Sequence, residues 1–434
     1  MESKESGNRY SYNIRSVNMS NMYRYAQEKY AAFQVDVEQA VEKLKNVPVS
    51  VHCWQGDDVT GLESSGEALS GGIQVTGNYP GKARNFEELK ADFLKAMQHV
   101  PGKKRISLHA CYAVFEEGRK GDRDQLLPEH FKPWVEFAKE NDLGIDFNPT
   151  FFSHPMVKNN LTLSSPDEEV RSFWIRHGIA CRRIAAYFAK ELGTHSVCNV
   201  WIADGYKDVP ADKLGPRKLL KDSLDQIFAE DLPGVIDCVE SKVFGIGLEA
   251  YTVGSSEFYF NYAATNPKVY NLLDSGHYYP TETIADKLSA LLCFRDYVPL
   301  HVTRRMHWDS DHVVTLTDEL KEIAQEIVRC DALDKVLVGL DYFDGSINRV
   351  AAWAIGARNM QKALLWALLM PNEKLKKMQE ENDYTGLLFL HEELKTLPFT
   401  AVWEEYCRRE GVINDETWFE DVKAYEQNVL MKRG

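Results

Sequence analysis

Val269-Tyr-Asn-Leu-Leu-Asp274-Ser-Gly-His277, Val298-Pro-Leu-His-Val302 and Lys335-Val-Leu-Val-Gly-Leu-Asp341 share one pattern. A short apolar run carries an Asp or a His at or near its end. Runs of this kind are those of buried parallel strands, whose carboxyl ends deliver polar groups to one face of a sheet or to the mouth of a barrel. Trp308-Asp309-Ser310-Asp311, between the second and third runs, adds two carboxylates. The stretch from Asp274 to Asp341 therefore predicts a divalent-metal site.

Five more runs of strand character precede these three, making eight. They are Pro48 to Trp54, Arg105 to His109, Gly144 to Thr150, Ser196 to Ile202 and Val235 to Glu240. Helical patterns separate them. Asn85 is expected to cap a helix from Phe86 to about His99, and Thr317 one that runs through Arg329 with Leu320, Ile323, Ile327 and Val328 on its apolar face. Ser165-Pro166-Asp167-Glu168 has the form of a capping box with Pro at the first helical position, opening a helix to Leu192. Strands alternating with helices eight times predict an α/β chain folded as a (β/α)8 TIM barrel rather than an open sheet. The Gly-x-Gly-x-x-Gly turn of a dinucleotide-binding sheet is absent.

Flanking segments frame the barrel. Apolar positions recur at helical spacing between Val17 and Asn46, predicting two N-terminal helices. After a helix from Arg349 to Leu369, Pro371 breaks the chain and a C-terminal helical extension runs from about Asn372 to Gly434. Its Leu387, Leu388, Leu390, Val402, Trp403 and Tyr406 imply packing on the barrel or on a neighbouring subunit. The expected division is a tail with helices over 1–47, the catalytic barrel over 48–370 and the extension over 371–434. The loop from Gln55 to Arg84 carries Asp57-Asp58 and Gly71-Gly72. Connections that long are usually functional, and this one follows a strand at the catalytic end.

The 434 residues are 44% hydrophobic and 27% charged, enough to bury a large core. A formal charge of −14 with no basic block gives a nucleic-acid or anionic-membrane surface no electrostatic support. The eight cysteines are scattered without a Cys-x-x-Cys and read as buried hydrophobes of a reducing compartment. The N-terminus has no signal-peptide core, no stretch spans a bilayer, and the cytoplasm is the expected location.

Taken in order, the strand ends offer Trp54, His109, Asp146 with Asn148, Trp201 with Asp204, Glu240 with Lys242, Asp274 with His277, His301 and Asp341. Carboxylates and imidazoles without thiolate favour Mn2+, Co2+ or Mg2+ over a structural zinc. The candidates outnumber the needs of one ion, so two ions could share the mouth. Asp309 and Asp311, two apart, would face one side of an extended segment, although a solvated turn gives the same string. Lys242 would place an ammonium where it can polarise a developing alkoxide, although barrel-end lysines also serve as salt-bridge partners. Trp54, Phe151, Phe152 and Trp201 could wall the C–H face of a sugar. His52 and His154 stay open between structural and site roles, whereas His307, His312 and His391 lack a site context.

Longer strings carry a resemblance. His52-Cys-Trp-Gln-Gly-Asp-Asp58, Gly71-Gly-Ile-Gln, Thr76-Gly-Asn-Tyr-Pro-Gly-Lys-Ala-Arg84, Val239-Glu-Ser-Lys242, Phe244-Gly-Ile-Gly247, Trp308-Asp-Ser-Asp-His-Val-Val314 and Ser346-Ile-Asn-Arg349 resemble bacterial L-rhamnose isomerase, from about Tyr25 to the final Lys-Arg-Gly. The resemblance implies a manganese-dependent aldose–ketose isomerase, a cytoplasmic homotetramer acting on L-rhamnose and L-rhamnulose. It assigns one ion to Glu240, Asp274, His301 and Asp341, and a second to His277, Asp309 and Asp311. It places His109 on the sugar and Lys242 beside the first ion. Isomerisation moves a hydrogen between C1 and C2 without a redox cofactor, and a metal-assisted hydride shift is expected, with Lys242 spreading charge and Asp341 or a metal-bound water shuttling the hydroxyl proton. A metal-dependent hydrolase or epimerase and a non-catalytic sugar-binding protein are the rival readings.

Overall fold

Residues 20–63, 73–116 and 121–433 are described by the computed structural model of the chain. The eight apolar runs become the eight parallel strands of a closed barrel: β1 (Val49–His52), β2 (Lys104–His109), β3 (Gly144–Asn148), β4 (Ser196–Trp201), then β6 (Val235–Glu240), β8 (Val269–Asp274), β9 (Val298–Val302) and β10 (Val336–Leu340), which returns to β1. Beyond β4, β5 (Gly205–Tyr206) pairs antiparallel with β7 (Tyr251–Thr252) outside the barrel. The first strand is shorter than the sequence suggests. It ends at His52, and Cys53–Gly56 coil into a 3-10 turn, so Trp54 is presented from that turn.

Helices α1 (20–31) and α2 (Val37–Lys45) precede the barrel. Those outside the strands include α3 (Phe86–Met97), α4 (Lys132–Glu140), α5 (Glu168–Leu192), α6 (Leu214–Ile227), α7 (Ser256–Thr265), α8 (Ala285–Leu292), α9 (Asp318–Arg329) and α10 (Arg349–Leu368). Asn85 and Thr317 cap as expected, accepting from the N–H groups of Glu88 and Leu320 at 3.0 and 3.2 Å. At α5 the expectation fails. Asp167, not Ser165, is the cap, accepting from Glu169 and Val170 N–H, and the helix starts at Glu168. A carboxylate both accepts hydrogen bonds and complements the positive helix terminus, so it outcompetes the hydroxyl two residues earlier.

The alanine-rich α10 lies in the middle of the outer layer, and small side chains let α2, α3, α9 and β1 approach it. Its Trp353 indole donates to the His52 carbonyl at 2.8 Å, pinning the end of β1. Gly356 faces the Tyr342 ring, which a Cβ would overlap.

The extension forms α11 (Asn372–Glu380), α12 (Tyr384–Leu394), α13 (Phe399–Arg409) and α14 (Thr417–Asn428). It packs on its own barrel, although Leu388 of α12 is exposed. Tyr406 is buried and its hydroxyl donates to Gln361 of α10 at 3.3 Å. The Tyr425 hydroxyl and the Arg433 guanidinium both donate to Asp92 of α3, at 2.8 Å each. The Gln55–Arg84 loop is tied to the same face: Arg349 grips Asp58 at 2.7 Å and donates to the Tyr79 carbonyl at 2.8 Å, while Tyr79 donates to Glu426 at 3.0 Å. Gly71 and Gly72 lie outside the described residues.

Asp92→Ala leaves the buried Arg433 without its nearest counter-ion, with only Glu88 remaining at 3.7 Å, and is expected to cost about 3 kcal/mol. Thermal unfolding checks this; an unchanged melting temperature would show that the Asp92 contacts to the tail contribute nothing to stability.

Candidate functional site

Strand register assembles the site. Glu240 pairs with Leu272, two residues before Asp274; Asp274 pairs with His301; His301 pairs with Gly339, two residues before Asp341. Each step of two keeps the side chain on the same, inward face. Four neighbouring strands thus bring Glu240, Asp274, His301 and Asp341 to one point, with ligand atoms all within 4.8 Å of one another. Their exposures are 2%, 1%, 5% and 7%, so bulk water does not screen the charges.

The donors are close without being hydrogen-bonded. His301 Nδ1 lies 3.2 Å from Glu240 Oε2 and 3.3 Å from Asp341 Oδ2, yet His301 Nδ1, Asp274 Oδ2 and Asp341 Oδ1 have no hydrogen-bond partner. Atoms aimed at a shared point rather than at each other fit a divalent cation, and oxygen with imidazole is a suitable donor set. The electrostatics agree. Burial, then the charges of Glu240, Asp341 and Asp309, push Asp274 up to about 7 against the pull of His277. Burial acts to lower His301, but Glu240 and Asp341 hold it well above its ordinary value. Such crowded carboxylates draw protons or a cation into their midst.

The turn after β8 explains Asp-Ser-Gly-His. Asp274 Oδ1 accepts from Gly276 N–H at 2.6 Å, and Ser275 Oγ donates to the Thr303 carbonyl at 2.9 Å, stitching the turn to β9. Gly276 passes so near the 309 segment that a Cβ would lie 2.8 Å from Asp309 Oδ1. His277 then stands between two carboxylates, with Nδ1 2.9 Å from Glu240 and Nε2 3.2 Å from Asp309.

His277, Asp309 and Asp311 are brought to the same mouth but form no equally tight group among the described residues. The Trp308-to-Asp311 segment is not extended. It bends, with His307 at φ 70° and Asp311 at φ 44°, so two-residue spacing does not set the facing of its carboxylates. Asp309 is buried against the Lys242 ammonium, and Asp311 lines the mouth with Lys242 and His277. Burial acts to lower the pKa of Lys242, but Asp309 and Asp311 raise it, and the amine carries its charge.

Aromatic rings wall the cavity. Trp54 stacks on His109 at 4.2 Å between ring centroids and meets Phe343 edge-on at 5.4 Å. Trp201 meets Phe152 at 5.8 Å and carries the Lys242 ammonium 5.6 Å from its ring centre. Phe151, expected at the mouth, packs on Trp174 and His177 in a separate core cluster instead. Asp146 is also displaced from its expected place. It points toward the opposite end of the barrel, where Ser50, Arg105 and Val197 N–H satisfy it and where a larger cavity of about 890 Å3 opens. Paired charges at that end serve stability. Asp204 is structural, accepting four hydrogen bonds from Thr162 and Ser164. His154 pairs with Asp122, away from the cluster.

Two residues at the site escaped sequence reasoning or were left open. Asn199 donates to Glu240, and His52 stands against His301 and Asp341. Asn199 had a legible signal, since it lies two before Trp201 on the same inward face of β4.

A family model described as L-rhamnose isomerase (RhaA) matches residues 17–433. The chain belongs to the L-rhamnose isomerase family. Proteins named L-rhamnose isomerase from Escherichia coli (strain K12) and Shigella flexneri serotype 5b (strain 8401) are 53% identical over 96% of this chain and 99% of their own length. Among solved structures, D-psicose 3-epimerase from Clostridium cellulolyticum H10 matches with a TM-score of 0.46 and 13% identity, covering 74% of this chain and 97% of that one. The barrel itself rests on its strand pairing. Among the described residues of this family member, no helix is long and apolar enough to cross a membrane.

Adding Mn2+ to the metal-free protein is expected to raise its melting temperature, because a ligand of the folded state stabilises it. Asp274→Asn is expected to lose most of that rise; an equal rise in both proteins would place the cation elsewhere.

Proposed function

We propose that this chain interconverts L-rhamnose and L-rhamnulose in L-rhamnose catabolism. The observation that carries the reading is 53% identity over nearly the whole chain to proteins named for that activity. The buried carboxylate–imidazole cluster at the barrel mouth supports it independently. Mn2+ is the proposed cation, two per subunit, with Co2+ or Mg2+ as substitutes. Glu240, Asp274, His301 and Asp341 would hold one ion; His277, Asp309 and Asp311 would hold the other. Oxygen and nitrogen donors without thiolate support the choice of metal. The 3.2 Å approach of His277 to Asp309, beside Asp311, supports the second place. Bound there, such ions would polarise and orient sugar oxygens. The assembly is proposed to be a homotetramer in the cytoplasm.

The remaining chemistry falls to side chains. Trp54 and Trp201 are proposed to wall the sugar's C–H face. His109 is buried with both ring nitrogens free of partners, and burial with the neighbouring His301 charge pushes its pKa down to about 3. A neutral imidazole donates from one nitrogen and accepts at the other, which suits a sugar hydroxyl. Lys242 is proposed to stabilise negative charge developing on a sugar oxygen during transfer. Asp341, with Oδ1 unpartnered, is proposed to accept the hydroxyl proton and return it. The hydrogen itself would pass between C2 and C1 as hydride, so oxidation and reduction balance within one sugar.

The purified protein is expected to form ketose from L-rhamnose; failure on L-rhamnose with turnover of another aldose would overturn the substrate. C2-deuterated L-rhamnose should retain its label in L-rhamnulose, and washout into solvent would replace the hydride shift with a proton-transfer route. Lys242→Met is expected to lower kcat by about 100-fold or more with a smaller change in KM; undiminished kcat would remove Lys242 from the chemistry.

A further inference from the structure

We infer that His52 is a positioning residue for His301, accepting a hydrogen bond from its Nε2–H and so holding the ring with Nδ1 aimed between Glu240 and Asp341. The inference rests on the cation-binding reading of the cluster and adds a residue to it.

His52 closes β1 and faces the barrel interior at 2% exposure. It is held from two sides. Trp353 donates to its carbonyl at 2.8 Å, and Trp54 stacks on its ring at 4.7 Å with 20° between planes. So fixed, His52 Nε2 lies 3.4 Å from His301 Nε2. Two imidazole nitrogens this close cannot both carry hydrogen and still bond; one donates and the other accepts.

The choice is settled by what His301 does with its other nitrogen. Nδ1 is the atom within 3.2 Å of Glu240 and 3.3 Å of Asp341, and a nitrogen that ligates a cation carries no proton. With a cation on Nδ1, the one N–H hydrogen left on the ring sits on Nε2, leaving His52 Nε2 as acceptor. The alternative runs through Asp341 Oδ1, which lies 3.5 Å from His52 Nε2. If His52 donated to that carboxylate, its Nε2 would carry hydrogen and offer no lone pair to His301 Nε2–H, and the His301 ring would lose that restraint. The two arrangements exclude each other, so the partner that His52 takes decides whether the His301 ring is held in place for a cation. Partners of a ligand's remote nitrogen commonly act this way and are worth roughly 10- to 100-fold in metal affinity.

Calorimetric titration of the metal-free protein with Mn2+ tests this, using His52→Met, which fills the space without a strong acceptor, and His52→Gln, whose amide oxygen can accept. Circular dichroism checks folding; should His52→Met not fold, His52→Phe, which keeps a flat ring against Trp54, replaces it. His52→Met is expected to bind roughly 10- to 100-fold more weakly, with His52→Gln close to wild type. The Co2+-loaded Gln variant should also keep the wild-type visible band pattern, because a positioning residue is not a ligand. Wild-type affinity in His52→Met, a loss in His52→Gln as large as in His52→Met, or an altered band pattern in His52→Gln overturns the inference. If the wild-type protein binds no Mn2+, the cluster reading falls with it; if the wild type binds and only Asp274→Asn weakens, the inference about His52 falls alone.

Discussion

Three carboxylates and an imidazole, buried within 4.8 Å of one another at the ends of four adjacent strands, are the constraint on which the rest of the structure depends. Burying like charges together is costly unless something neutralises them. The protein accepts that cost at one place and arranges its neighbourhood accordingly. Asn199 holds Glu240, the Asp274 turn is stitched to β9 through Ser275, and Gly276 lets that turn pass Asp309 without a clash. Lys242 and His277 supply positive charge around Asp309.

Such a centre needs a stiff surround, and the outer layer provides it by tying distant segments to the mouth. Arg349, at the start of α10, binds Asp58 and the Tyr79 carbonyl, and Tyr79 in turn reaches Glu426 of α14. Asp92 of α3 gathers Tyr425 and Arg433. The described part of the loop after β1, the last helix and the final turn are therefore one hydrogen-bonded unit, and Ile73 within that loop forms part of the cavity wall. Charge at the opposite end of the barrel is paired internally, as Arg105 with Asp146, which separates the stabilising face from the chemical one.

The strands and the polar groups at their ends were legible because both depend on local pattern, whereas the grouping of Glu240 with Asp274, His301 and Asp341 came from the family resemblance. An apolar run ending in Asp or His keeps its meaning wherever the strand sits, and a two-residue period determines which side chains turn inward. Trp54 and Asp311 were harder, because a 3-10 turn and a left-handed residue redirect them after the regular strand has ended. Asp146 and Asp204 looked like mouth residues because their strings resemble the others. Only the fold reveals that Arg105 and the Thr162–Ser164 segment already satisfy them. His52 could not be assigned because its partner His301 lies 249 residues away, and barrel closure between β10 and β1 is what brings that side of the molecule together. The start of α5 turned on which of two neighbouring caps bonds better, a competition between Ser165 and Asp167 that spacing alone does not decide.

Turnover of L-rhamnose to L-rhamnulose by chelator-stripped protein, followed as Mn2+ is returned in measured increments, tests the central claim most directly. Activity near zero in the stripped protein, rising in step with bound Mn2+ and saturating when the buried cluster is filled, is the expected result. Full turnover with no divalent cation bound would contradict it.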